Sequence, residues 1–218
     1  MLRVLLLAAL VAVATAQSPK DCKFDTLTTC QATFNDALEI VEPKPWADSV
    51  AYRVKIEQLF ELDGVKGLRK VCRYFREMKN CMGECYQTLL SVPSLVKDGK
   101  VDVDHAYTYM SVFNALHYSC GAGFTTYYAN KSCWIKSWKN SRSALEQKRA
   151  NFEANAAAYP FQACSLANSL LTDFEHAFAT GCGPTSRDTQ FFGCEYARTA
   201  IFTKYPQCTA GCSLPIVG

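Results

Sequence analysis

The side chains best able to do chemistry in this chain are three histidines, His105, His117 and His176, and twelve cysteines. Nucleophilic catalysis needs a base beside a hydroxyl or thiol, with a third group to orient that base. No Gly-x-Ser-x-Gly elbow occurs. A Ser-His-Asp set assembled from distant positions stays open to a sequence reading. VDVDH brings Asp102, Asp104 and His105 within four residues. One histidine with two loop carboxylates is a weak metal signal, and the commoner use is a solvated loop in which Asp104 caps the next helix. His176, in DFEHAF, reads as an ordinary helical histidine. We expect no catalytic residue, no cofactor and no metal ligand.

HYSCGAGF, residues 117–124, loosely resembles the glycine-rich calcium loop of small secreted phospholipases. Those enzymes also carry adjacent cysteines ahead of a His-Asp pair, and no two cysteines are adjacent here. Gly121 therefore reads as a helix end. Polyanion binding has its best case in WIKSWKNSRSALEQKR, residues 134–149, with two tryptophans and five bases. At 100° per residue the tryptophans align but the bases do not. Lys136 and Lys139 point away from the Trp face, Lys148 lies to one side, and Arg142 and Arg149 lie to the other. That pattern reads as a solvated helix with a core face.

The cysteines are Cys22, Cys30, Cys72, Cys81, Cys85, Cys120, Cys133, Cys164, Cys182, Cys194, Cys208 and Cys212, an even number that suits six disulfides. Their pairing is one of on the order of 10,000 connectivities. No Cys-x-x-Cys occurs, so thioredoxin-like chemistry and zinc ribbons lose their signature. The stretch CRYFREMKNCMGEC decides between metal and framework. Around it Leu68, Val71, Phe75, Met78 and Met82 recur at steps of three and four, a helical stripe. With Cys72 at zero the stripe falls at roughly 240–320°, Cys81 near 180° and Cys85 near 220°. Three thiolates so placed on one helix do not converge on a tetrahedral metal. They reach neighbours on both flanks, so the helix reads as a central strut.

The same period runs through the chain. Leu27, Cys30, Phe34, Leu38 and Val41 mark a first helix, stopped by Pro43-Lys44-Pro45. Val50, Val54 and Leu59 or Phe60 mark a second, ended by Asp63-Gly64. The strut is third, and Pro93 and Asp98-Gly99 mark a loop after it. Met110, Phe113, Leu116 and Cys120 give a fourth helix, and Trp134, Trp138, Leu145 and Phe152 a fifth that runs to Pro160. Phe161, Cys164, Leu171 and Phe178 give a sixth, closed by Gly181-Cys182-Gly183-Pro184. A seventh runs from Thr185 to about Tyr205. No strict alternation is present, so the expected class is all-α: a disulfide-crosslinked bundle of about six to seven helices.

MLRVLLLAALVAVATA has an early charge, a short apolar run and a small-x-small ending. It reads as a secretory signal peptide over residues 1–16, cut before Gln17, leaving residues 17–218 as one cysteine-rich helical domain. The run is too short to span a bilayer, and no later stretch reads as a transmembrane anchor. The net charge of +3 gives no global drive toward nucleic acid or anionic membranes. Asn130-Lys131-Ser132 is the one N-glycosylation sequon, between two helical segments.

Cys72-x8-Cys81-x3-Cys85, then SCGAGF leading to NKSC, then ATGCGP and the closing QCTAGC, resemble the chondroitin proteoglycan 4-like domain of secreted nematode proteins. A second family of cysteine-rich secreted nematode domains is similar. The resemblance covers about Cys22 to Cys212 and implies an extracellular, disulfide-bonded, non-enzymatic module of nematode origin. It transfers no catalytic or ligand residue. Chondroitin is attached at Ser-Gly, and the chain has no Ser-Gly dipeptide, so no chondroitin attachment is expected.

The reading is a secreted, non-enzymatic extracellular binding or matrix-type protein whose partner, an extracellular protein or matrix component, is unspecified. The alternatives are a carrier of a small apolar ligand or lipid, and a secreted hydrolase. Intact mass of the secreted protein is the check. It is expected to begin at Gln17, to lie twelve hydrogens below the reduced mass, and to take up no alkylating agent. A retained leader or alkylated thiols would overturn the framework.

Overall fold

The clearest helical period in the sequence becomes α3 (Val65–Met82), which buries Leu68, Val71, Phe75, Met78 and Met82. The structure is a computed structural model that describes residues 21–42, 44–62, 65–183 and 186–213. The leader, the cut before Gln17, Pro43, Asp63-Gly64 and Pro184-Thr185 lie outside these. α1 (Phe24–Leu38) precedes α2 (Ser49–Leu62). After α3 come the short α4 (Tyr86–Leu89) and α5 (Val92–Lys97), α6 (Val103–Cys120) and the short α7 (Phe124–Ala129). α8 (Lys131–Ala158), α9 (Ala163–Cys182) and α10 (Arg187–Lys204) complete the chain. Seven helices have fourteen residues or more, and no strand forms among the described residues. The all-α, disulfide-crosslinked class holds.

Four local expectations change. Pro93 does not mark a loop but sits in the first turn of α5, where proline loses no helical hydrogen bond. The Ser91 side chain caps that turn by accepting from Ser94 N. Val41 lies beyond the end of α1 and is 96% exposed, because Glu39 turns left-handed (φ 59°) and its N–H bonds back to the last helical carbonyls. Phe161 lies in a 3-10 turn ahead of α9 and is 83% exposed. The buried face of α2 is Tyr52, Arg53, Ile56, Glu57 and Phe60; Val50 is exposed and Val54 half-buried.

The long helices form two packed groups. α1 lies against α3, while α9 packs on both α8 and α10. α2 and α6 join the groups, α2 through α3 and α8, α6 through α10. All twelve cysteines pair, with Cα–Cα distances from 4.8 to 5.8 Å. Cys30–Cys81 fastens α3 to α1, Cys72–Cys120 fastens it to the end of α6, and Cys22–Cys85 ties the residues before α1 to the 3-10 turn (Gly83–Cys85) that follows α3, not to α3 itself. The strut is thus pinned on both flanks. Cys133–Cys182 joins α8 to α9, and Cys164–Cys208 and Cys194–Cys212 tie α9 and α10 to the C-terminal segment. The first six cysteines pair among themselves, and so do the last six. Each bridge is worth about 2–4 kcal/mol through restriction of the unfolded chain.

The α8–α9–α10 group is an aromatic core. The Trp134 ring lies 4.2 Å from Phe178 and 4.1 Å from Phe192. α9 and α10 approach closely at Gly193, where a Cβ would run into the Phe178 ring. Gly193→Val is therefore expected to destabilise by about 3 kcal/mol, the upper range for overpacking, and to lower Tm by several degrees. Gly211→Val, where nothing lies within 4 Å, is the control and is expected to leave Tm unchanged. Equal melting of both variants would contradict the close approach.

Candidate ligand-binding site

The side chains singled out for chemistry do not assemble. The Asp102 side chain, not that of Asp104, caps α6 by accepting from His105 N at 2.9 Å. Its other oxygen lies 2.6 Å from His105 Nδ1. The His105 backbone N–H and ring hold this carboxyl below the usual range. Asp104 instead pairs with Lys204 at 3.0 Å. His117 lies twelve residues further along α6, about 18 Å away. Its Nε2 is 3.1 Å from the Tyr86 hydroxyl, in a shallow cleft also lined by Lys79 and Glu84. Partial burial, then Lys79, push the imidazole below its ordinary pKa. Burial raises the Tyr86 phenol well above its own, so the hydroxyl beside this histidine is a poor nucleophile. His176 is exposed on α9. No group of three His, Cys, Asp or Glu suited to a metal occurs among the described residues.

Asn130 stands at the junction of α7 and α8, half-buried. Its Nδ2, the atom that a sugar would take, donates to Thr126 O at 2.9 Å. A glycan replaces one of the two amide hydrogens and leaves the other for this bond.

The built site is elsewhere. α2 and α8 meet through charged side chains on their facing sides. Arg53 Nη2 donates to Glu146 Oε1 at 2.7 Å, and Arg149 Nη1 donates to Glu57 Oε1 at 2.6 Å. Tyr196 of α10 donates to the same Glu57 oxygen at 2.8 Å. Arg142 pairs with Glu61 one turn further along α2. The Arg149 guanidinium also lies over the Phe174 ring, 4.7 Å from its centre. Burial dominates at Glu57: it outweighs Arg53 and the Tyr196 hydrogen bond and raises the carboxyl to about 7.

A cleft of about 170 Å³ opens beside this seam, between α2, α6, α8, α9 and α10. Its lining includes the charged Arg53, Arg149 and Glu146 and the apolar Phe152, Leu170 and Ile201. Its lining also includes the small side chains of Ala150 on α8 and of Ala197 and Ala200 on α10. Lys204 stands at the cleft, held by Asp104 and by Glu153, each at 3.0 Å. Arg53 Nη1, Arg149 Nη2 and Glu146 Oε2 are buried without a hydrogen-bond partner. Unpaired buried polar atoms are costly and mark places where a ligand or water completes the network.

Sequence reasoning missed this site. It took the solvated side of α8 to include Arg149, which is only 9% exposed. The available signal was Tyr52, Ile56 and Phe60 at steps of four, directly beside Arg53 and Glu57. No family model, no curated protein and no solved structure matches the chain.

The Glu57 shift has a sign that can be read in solution. Its folded pKa, about 7, lies above the ordinary 4.5, so the folded state binds the extra proton between those values. The contribution of Glu57 to stability is full below about 4.5 and is lost as pH rises to about 7. Glu57→Gln keeps an acceptor for Arg149 and Tyr196 but cannot titrate. Thermal melts from pH 4.5 to 7.5 are expected to show a flatter decline for Glu57→Gln than for the wild type. Parallel declines would assign Glu57 an ordinary pKa.

Proposed function

We propose that the chain is a secreted, disulfide-stabilised, non-enzymatic binding protein of an extracellular layer, and that it takes a small amphipathic acid in the α2–α6–α8–α10 cleft. The observation that carries the reading is the pair of buried guanidinium groups, each with a nitrogen that makes no hydrogen bond, in a cleft also lined by apolar side chains. Six disulfides support the extracellular compartment, where thiols pair. The cysteine order, which resembles that of secreted nematode domains, supports the compartment and the non-enzymatic role.

Chemistry selects the ligand class. Burial favours the neutral form of Glu57, so the two arginines face less than two full negative charges at neutral pH. The positive excess favours a carboxylate or a similar acceptor. Glu146, with a side chain 28% exposed against 1% for Glu57, is the partner such a group would displace. A cavity near 150 Å³ holds a benzene-sized molecule, so about 170 Å³ suits a compact ring or short branched chain and favours it over a long acyl chain. This narrows the carrier alternative. The hydrolase alternative finds less support, since its three histidines meet a cap carboxylate, a protonated phenol and solvent.

Thermal shift with phenylacetate, against phenylacetamide, tests the cleft. A ligand at one hundred times its Kd adds about 2.7 kcal/mol. Phenylacetate is expected to raise Tm more than the amide, and Ala200→Phe, which fills the cleft, to abolish the rise. An equal rise in Ala200→Phe, or none in the wild type, would remove the reading.

A further inference from the structure

The net charge of the chain conceals a strong local excess. α3 carries six basic residues and one acidic residue, Glu77. Its excess of five exceeds the +3 of the whole chain, so the remainder is net negative. The bases are not spread around the helix. Lys66, Arg69, Lys70, Arg73 and Arg76 fall within an arc of about 120° at 100° per residue, opposite the buried stripe of Leu68, Val71, Phe75 and Met78. Ten residues separate the first from the last, about 15 Å along the axis. All are solvent-facing, with Lys70 the least exposed.

Little neutralises this face. Lys70 reaches Glu39 at 3.0 Å, and Arg73 reaches Glu77 at 4.0 Å. Lys66, Arg69 and Arg76 make no ion pair among the described residues. Arg69 lies over the Tyr128 ring, 4.8 Å from its centre, and Lys131 approaches the same ring at 5.6 Å. The basic face therefore continues from α3 onto the start of α8.

We propose that the solvent face of α3 is a docking site for a linear sulfated polysaccharide. The face is one helix wide and presents a cation at each turn, about 5.4 Å apart. That matches a single chain with closely repeated anions. A membrane surface fits less well, because the apolar side chains of α3 point inward and none of its residues is among the exposed large apolar ones. Nucleic acid fits less well, because the aromatic rings on this face, Tyr74 and Tyr128, are covered by guanidinium groups. The tryptophan-rich stretch of α8 is not the equivalent surface, because its Arg142, Lys148 and Arg149 are consumed by Glu61, Asp173 and Glu57.

The proposal is independent of the cleft but rests on the extracellular reading. It is tested with purified, oxidised protein and a heparin octasaccharide, so failure here is separate from failure of secretion, which a retained leader would show. Binding is expected at about 0.15 M NaCl and to weaken about tenfold or more at about 0.5 M. Desulfated heparin is expected to bind at least about tenfold more weakly, in keeping with its lost charge. Combining Arg69→Glu, Arg73→Glu and Arg76→Glu should abolish binding. The same three positions changed to Gln, which avoids repulsion from Glu77, should weaken it about tenfold, as the loss of three charges requires. Lys136→Glu with Lys139→Glu on α8 should change nothing. The proposal fails if desulfated heparin binds equally. It also fails if the α8 pair rather than the α3 set loses binding, or if the protein binds phosphatidylserine vesicles and not heparin.

Discussion

Glu57 is a carboxyl with 1% of its side chain exposed, and it accepts hydrogen bonds from two helices that do not neighbour it in sequence. Its importance follows from the disulfide pattern. The bridges hold residues 22–120 to each other and residues 133–212 to each other, and none crosses between them. The halves are joined by packing and by charge. Arg53 and Glu57 on α2 meet Glu146 and Arg149 on α8, and Tyr196 brings in α10. Phe60 against Trp138, and Trp138 against Tyr196, surround the seam with aromatic contact. Removing one partner of a buried pair leaves an uncompensated charge and destabilises by about 3–5 kcal/mol, far more than the pair itself contributes. The halves also meet where α6 packs on α10, so the seam is one of two noncovalent joints between them, and the one that contains buried charge.

The cleft adjoins the charged seam of α2 and α8, and its lining includes small side chains, Ala150 of α8 and Ala197 and Ala200 of α10. The seam also supplies the polar end of the cleft, since Arg53 and Arg149 each keep one buried nitrogen that makes no hydrogen bond. Cys133–Cys182 fixes the start of α8 to the end of α9.

The framework was legible in the sequence and the site was not, for one physical reason. Apolar periodicity reports which face of a helix leaves water, and in α3 the buried face is wholly apolar apart from Gly67 and Cys72. The placement of Cys72 against Cys81 could be derived there, and their bridges run to opposite flanks; Cys85 instead follows the helix in a 3-10 turn, because Gly83 turns left-handed (φ 54°). In α2 the buried face is shared between Tyr52, Ile56 and Phe60 and the charged Arg53 and Glu57. A rule that sends charge to the surface rotates that helix wrongly, toward Val50 and Val54. Partners more than ninety residues away make the burial of Arg53 and Glu57 tolerable, and they leave no local mark. The cap at Asp102 rather than Asp104 is a smaller case, decided by where the first helical N–H groups point.

Net charge misled in the same way, by averaging. A chain with an excess of +3 has no long-range pull on an anion as a whole. Screening nevertheless limits any exposed charge to neighbours within about 8–10 Å, so what a polyanion meets is the local arrangement. The fold sorts the bases by helix. On α8 Arg142, Lys148 and Arg149 pair with carboxylates of α2 and α9 while Lys136 and Lys139 stay exposed and apart from them, and on α3 the apolar stripe forces the bases outward together. The strut that carries Cys72 and Cys81 on its flanks therefore also carries a dense cationic face. Its rigidity and its charge come from a single constraint, the burial of Leu68, Val71, Phe75 and Met78.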